Sequence, residues 1–423
     1  MANHRKRRSN RLDVRTSSGN SGSRSQPYSA GPVCTQLLGD YGADVIKIEK
    51  PGAGDDTRSW GPPFIKDADG NDTEESTFYL CANRNKRSVA IDITTRDGQQ
   101  LIRKLLSKCD VLIENFRVGA LGRYGLGYDD LRDEFPTLVY CSITGFGQTG
   151  PYRERAGYDF LAQGMGGIMS VTGEPDGMPM KTGIGIADVM TGMHASTSIL
   201  AALRHRDATG EGQHIDLSLF ETQISWLYYH AIEYLNTGHN PDRLGNAHAN
   251  VVPYEVFETS DGHVILAAGN DGQFAKFCEV AGLHALPHKP EYRTNPQRIK
   301  NRDTLLPHIR DAFREQTTDY WVSALENAGV PCGPINTLDR VFDDPHVIDR
   351  EMTIDMPHAE ADGVRLVAAP AKMSETPVTY RRPPPVRGEH TIEVLEEVLG
   401  LREEEIVKLE SDGVTESKKQ ANR

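Results

Sequence analysis

SVAIDITTRDGQQLIRKLLSKCDVLIEN, residues 88–115, decides the fold. Ser88 to Ile93 is β-branched and apolar enough to read as a strand. From Asp97 to Ser107 the period changes, and Leu101, Ile102 and Leu105 share one face of a helix. Asp110 to Glu114 reads as a strand again. Strand, amphipathic helix and strand in succession make a crossover unit, which sets its two strands parallel.

The same grammar extends outward. Upstream, Cys34 to Tyr41 reads as a helix with Leu37 and Leu38 inward, and Asp44 to Glu49 as an alternating strand. A Gly-, Pro- and Asp-rich loop from Pro51 to about Asn71 follows that strand. Downstream come helical patterns at Tyr128–Glu134 and Tyr158–Met169 and a strand at Leu138–Ile143. A small-residue helix, Ala187–Leu203, then turns at Thr209-Gly210-Glu211-Gly212 into a strand, Gln213–Leu217. The order predicts an α/β fold with a doubly wound, Rossmann-like parallel sheet and ligand sites at the strand carboxyl ends. From Gly245 the pattern changes. Tyr254–Thr259 and His263–Ala268 form a hairpin around Ser260-Asp261-Gly262, followed by helices at Asp271–Ala281, Arg302–Arg314 and Asp319–Ala328. The expected organisation is a large domain over 30–225, a smaller α+β domain over 245–335, and a C-terminal segment, 340–423, that returns to the large domain. That segment carries a helix at Thr391–Gly400 and a fraying helix from Arg402.

Composition narrows the function. A net charge of -13 over 423 residues argues against a general nucleic-acid binder, and means that a polyanionic ligand needs a local basic patch. No run of about 18 apolar residues suggests a membrane span. The six cysteines are scattered without a CxxC or Cys/His cluster, so no metal site is expected and a reducing compartment is. Residues 1–29 stand apart: Arg5, Lys6, Arg7, Arg8, Arg11, Arg15 and Arg24 face only Asp13 amid Ser, Asn and Gly. They read as disordered, with no legible strand. Their Arg- and Ser-rich, acid-poor character suggests a mitochondrial address, with the cytoplasm as the alternative.

Candidate chemistry centres on GIGIADVMTG, residues 183–192. A Gly-spaced turn delivers Asp188 to the head of a helix, where it can cap the helix, bind a cation or act as a nucleophile. Capping is the commonest of these roles. The stretch lacks the third glycine of a dinucleotide fingerprint, and Asp188 would repel a phosphate there. No Walker loop is present. Lys50, Arg58, Arg84, Lys86, Arg87 and Arg123 gather near strand ends, either as a solvated surface or as a pocket for a phosphorylated ligand.

Several ordered motifs resemble the class III (family III) CoA-transferases: Gly39–Glu49, Asn83–Ser88, Glu114-Asn115-Phe116, Ser142–Gly147, Gly157-Tyr158-Asp159, Thr209–Gln213 and Gly329–Pro334. The resemblance spans about residues 30 to 400. Within the family, Pro51–Phe64 and Asn246 through Tyr254 are most similar to the branch acting on succinyl-CoA and glutarate. The resemblance implies a nucleophile at Asp188 that forms covalent aspartyl intermediates. It implies CoA contacts at Lys50, Ile91, Thr94, Asn115, Phe116, Arg123 and Tyr158. Asn246 and His248 are the candidates for orienting the acceptor acid. CoA thioesters enter as substrates, with no permanently bound cofactor and no ATP. An interlocked homodimer is expected. Two rivals follow. An α-methylacyl-CoA racemase needs bases on both faces of the substrate, and its branch has His where this chain has Tyr158, a poor base at neutral pH. A non-catalytic CoA-binding protein is the other.

Overall fold

The computed structural model describes residues 13–17 and 29–418. These residues form two compact units. The first comprises the described residues up to Ile168, Lys181–Ile232, and those from Arg350 onward; the second comprises Met169–Met180 and Glu233–Asp349.

The first unit is built on a seven-stranded sheet. Its strands are β1 (Asp13–Ser17), β2 (Asp44–Glu49), β3 (Lys86–Ile91), β4 (Val111–Glu114), β5 (Val139–Thr144), β6 (His214–Ser218) and, late in the chain, β10 (Thr415–Glu416). Across the sheet they run β10-β3-β2-β1-β4-β5-β6. All neighbours are parallel except β10, which pairs antiparallel with β3. The expected parallel α/β sheet is therefore present.

Its central strand corrects the reading of the amino terminus. Asp13–Ser17 pairs with Asp44–Ile48 on one side, and Val14–Ser17 with Val111–Glu114 on the other. Strands buried on both faces of a parallel sheet normally read as apolar runs. DVRTS offers only Val14, so its own composition hides it; two well-patterned neighbours supply the pairing that propensity does not. The remaining residues of the segment read as disordered, 1–12 and 18–28, lie outside the described residues.

Alternation along the strands feeds both sheet faces. Val45, Val111, Ile113, Val139, Cys141 and Ile143 pack with helices α1 (Ala30–Asp40) and α4 (Ile186–Thr209). Ile46, Ile48, Val89 and Leu112 pack with Leu101, Ile102 and Leu105 of α2 (Arg96–Leu106). The short helix α3 (Asp159–Met165) precedes α4. By length and composition α4 is apolar enough to cross a membrane, yet Ala187, Thr191, Ala195, Ile199 and Ala202 are buried in this core. It runs past the expected Leu203 end to Thr209 and stops at Gly210, whose φ of 82° is the left-handed stop that glycine adopts without strain. Gly192 lets α1 and α4 approach closely: a Cβ there would stand 2.7 Å from the Ala30 carbonyl oxygen and 2.8 Å from Val33 Cγ1.

The loop after β2 is more ordered than its composition suggests, with a small hairpin, Phe64–Lys66 and Asp72–Ser76. A second unanticipated hairpin is Thr353–His358 with Ala361–Val367. In the second unit β7 (Tyr254–Glu258), β8 (His263–Ala267) and β9 (Cys332–Pro334) form an antiparallel sheet, order β9-β8-β7. Phe257, Val264, Leu266, Phe274, Phe277, Ile309, Phe313 and Trp321 form its core. This unit is wider than 245–335, and the return to the first unit starts at Arg350 rather than 340. It recruits Met169–Met180 through long-range contacts: Gly245 N donates to Gly173 O (3.0 Å) and Arg243 Nη2 to Gly177 O (2.8 Å).

Candidate active site

β1 is the point where the strand order reverses, with β2 and β3 on one side and β4, β5 and β6 on the other. In open parallel sheets the crevice beyond the carboxyl ends at such a point is the usual ligand site. After β4 come Asn115 and Phe116; the Asn115 side chain faces Gly31 at the start of α1, where an added Cβ would stand 3.8 Å from Asn115 Cγ. Beside the same helix start, Ser29 N donates to Asp188 Oδ2 (3.1 Å). The fold thus brings Asp188 to the head of α1, and the neighbouring first turn of α1 lies against Asn115.

The capping role does not fall to Asp188. The first turn of α4 is served by Asp159 at the start of α3, whose Oδ1 accepts from Ala187 N (2.7 Å) and Asp188 N (3.2 Å). Gln163 Nε2 in turn donates to Asp159 Oδ2 (2.6 Å). Gly145 and Gly157 make this placement possible, since a Cβ on either would come within 2.5 Å of the other's Cα. In the sequence Asp159 stands out only as the last residue of the Gly157-Tyr158-Asp159 motif. Its spacing from Asp188 carries no local signal, because the cap is tertiary.

Asp188 is left to accept from Ser29 N rather than to cap its own helix. It is 7% exposed, and its Oδ1 has no hydrogen-bond partner among the described residues. Burial, with Asp159 nearby, raises its pKa from 3.8 to about 7, against the opposing Ser29 N–H bond. Backbone N–H groups at a helix start ordinarily favour an ionised carboxylate, and the reverse holds here. The helix-start N–H groups point at Asp159 instead, and desolvation dominates at Asp188. A desolvated, underbonded carboxylate is a stronger nucleophile than a hydrated one.

The other expected residues divide by unit. Lys50 directly follows β2 and is half-buried. Ile91 ends β3, but its side chain is in the core, which leaves its backbone for any ligand contact. Thr94 is exposed and donates through Oγ1 to Asp92 Oδ1 (2.6 Å). Phe116 is buried, and Arg123 is exposed in the turn Leu121–Tyr124. Tyr158 is the exposed residue before α3. Asn246 and His248 belong to the second unit. There His248 Nδ1 accepts from Asn250 N (3.0 Å), so the neutral ring carries its proton on Nε2. Arg302 Nη2 holds the His248 carbonyl (2.7 Å).

Most of the basic cluster is buried and partnered within the first unit. Arg58 Nη2 pairs with Glu49 (2.7 Å) and its Nη1 with Glu75, while its guanidinium lies 3.8 Å from the Tyr79 ring centroid. Arg84 pairs with Asp40 (2.6 Å), and Arg87 with Asp44. Lys86 Nζ donates to Pro32 O and Ala82 O (3.0 and 2.6 Å). All four are buried. Sequence could not separate them from Lys50 and Arg123, because their carboxylate and carbonyl partners are remote or sit behind turns.

Residues 24–391 match the model of CoA-transferase family III, and the chain belongs to that family; it is an enzyme that transfers coenzyme A. It is 46% identical over 87% of its length to the succinate–glutarate CoA-transferase of Agrobacterium fabrum, covering 92% of that protein. It is 41% identical over 92% of its length to the succinyl-CoA:glutarate CoA-transferase of Homo sapiens, covering 87% of that protein. Among solved structures, a CAIB/BAIF family protein from Brucella suis is 43% identical with a TM-score of 0.80, over 92% of this chain and 98% of that one.

Proposed function

We propose that this enzyme moves CoA from succinyl-CoA to glutarate through covalent intermediates on Asp188. The observation that carries the proposal is the buried Asp188 carboxylate, relieved of capping by Asp159 and with Oδ1 unpartnered among the described residues. The acyl pair is supported by the relatives from Agrobacterium fabrum and Homo sapiens. In the first step an Asp188 oxygen attacks the thioester carbonyl carbon; the C–O bond forms, the C–S bond breaks, and CoA leaves as thiolate. The thiolate then attacks the aspartyl carbonyl of the mixed anhydride, releasing succinate and leaving an aspartyl thioester. Glutarate attacks that carbonyl and expels the thiolate again. Attack of the thiolate on the glutaryl carbonyl yields glutaryl-CoA and restores Asp188. Each step exchanges one activated carboxyl derivative for another, so no ATP is consumed.

CoA lies along the carboxyl edge, with Lys50, Ile91, Thr94, Asn115, Phe116, Arg123 and Tyr158 as its contacts. The acceptor's remote carboxylate is read by Asn246 and His248, the latter donating from Nε2. A homodimer is supported by apolar side chains exposed on the first unit, among them Phe160, Met193, Leu200, Tyr228 and Ile232. The test is Asp188→Asn with succinyl-CoA and glutarate, glutaryl-CoA being read by mass spectrometry. Asn keeps the shape but forms no anhydride, so transfer is lost; transfer near the wild-type rate overturns the proposal.

A further inference from the structure

Behind the Asn115–Arg123 segment lies a row of polar groups that the reaction does not use. Glu114, the last residue of β4, is buried, and its Oε2 accepts from Phe116 N (2.8 Å). Ser142 on β5 is its register partner, which sets the two side chains side by side on the same face of the sheet. Ser142 Oγ also lies 3.0 Å from His214 Nε2 on β6. The His214 ring stacks on Tyr128, centroids 4.6 Å apart at 17°, and Tyr140 meets it edge-on at 5.5 Å. Tyr140 Oη donates to Leu126 O (3.1 Å).

Glu114 accepts from the Phe116 backbone, and Ser142 Oγ and His214 Nε2 share the next hydrogen bond of the row, its direction set by the His214 tautomer. One end of the row fixes the Phe116 backbone. The other, through Tyr128 and Leu126, fixes the chain just past Arg123. The residues between are Asn115 to Arg123, the span in which three of the expected CoA contacts fall.

We propose that Glu114, Ser142 and His214 are positioning residues that brace the Asn115–Arg123 segment for CoA, setting affinity for the CoA moiety and not the chemistry at Asp188. The inference rests on the placement of CoA contacts at Asn115 and Arg123 proposed above. A brace that acts on CoA alone has a distinct kinetic signature, because weakened binding common to ground and transition states raises KM without lowering kcat.

The experiment compares Glu114→Gln, Ser142→Ala and His214→Gln with Asn115→Ala and Arg123→Ala in the full chain. The measurements are CoA dissociation by calorimetry and steady-state transfer from succinyl-CoA to glutarate. Glu114→Gln replaces the carboxylate that accepts from Phe116 N with an amide of the same shape. Ser142→Ala cuts the row with almost no change in volume, so it carries the test if Glu114→Gln fails to fold. We expect the CoA Kd and the donor KM to rise roughly tenfold in each. The kcat at saturating donor and the glutarate KM stay within about twofold. The Glu114→Gln/Ser142→Ala double variant should lose little more than either single one, as members of one network do. His214→Gln retains an Nε donor and should lose less than His214→Ala. If Asn115→Ala and Arg123→Ala raise the CoA Kd while Ser142→Ala and Glu114→Gln do not, the brace is refuted and the CoA placement stands. If none of the variants changes CoA binding, both are refuted. A loss of kcat with unchanged CoA affinity also refutes the brace.

Discussion

Removing the charge at Asp188 should make the ligand-free protein more stable, and increasingly so as pH rises. Burial holds the folded-state pKa near 7, against 3.8 for the exposed group. Between those values the unfolded chain releases a proton that the folded chain retains. The folded state therefore binds more protons, and stability falls with rising pH across this window. Above about pH 7 both states are ionised and the full cost, about 4 kcal/mol, remains; at pH 5 less than half of it is left, and near pH 4 little of it. Asp188→Asn is neutral throughout and keeps an oxygen for Ser29 N–H, so it escapes this cost. Its melting temperature should exceed that of wild type by several degrees at pH 8, and the gap should narrow steadily toward pH 4. Thermal unfolding of both proteins over that range, without CoA, reads the effect directly. A gap that is absent or independent of pH would refute the view that Asp188 is kept in a costly, desolvated state for use as a nucleophile.

Three further outcomes follow from the same geometry. Because the attacking form is the carboxylate, kcat/KM for succinyl-CoA should rise about tenfold per pH unit below pH 7 and level off above it; a profile flat from pH 5 to 8 contradicts an Asp188 pKa near 7. Gly192→Ala pushes a methyl against the Ala30 carbonyl and Val33, so it should cost about 1–3 kcal/mol in chemical denaturation and reduce transfer by shifting Ser29; unchanged stability would mean that the helix contact is looser than described. His248→Ala should weaken use of glutarate about ten- to a hundredfold more than use of valerate, and equal losses for the two acids in parallel kinetics would exclude His248 as the carboxylate reader.

Local pattern was enough to read most of the sheet and its helices. The amphipathic face of Leu101, Ile102 and Leu105, and the β-branched run around Val45 and Ile46, carry their structure in their own periodicity, because each must bury one face against the sheet core. The place of Asp188 in the first turn of its helix was legible too, through the glycine-rich turn before it. What local pattern could not carry was anything settled by a distant partner. Asp13–Ser17 is a strand because Asp44–Ile48 and Val111–Glu114 flank it, not because DVRTS favours one. Met169–Met180 joins the second unit through bonds to Arg243 and Gly245. Arg58, Arg84 and Arg87 resemble Arg123 in sequence, and only folding shows which of them are neutralised internally by Glu49, Asp40 and Asp44. The same holds at the site itself. Sequence placed a carboxylate at a helix start, where capping would have lowered its pKa. Only the tertiary structure gave the cap to Asp159 and left Asp188 desolvated, with its pKa raised instead, because burial and hydrogen-bond partners are properties of the folded surroundings and not of the residue.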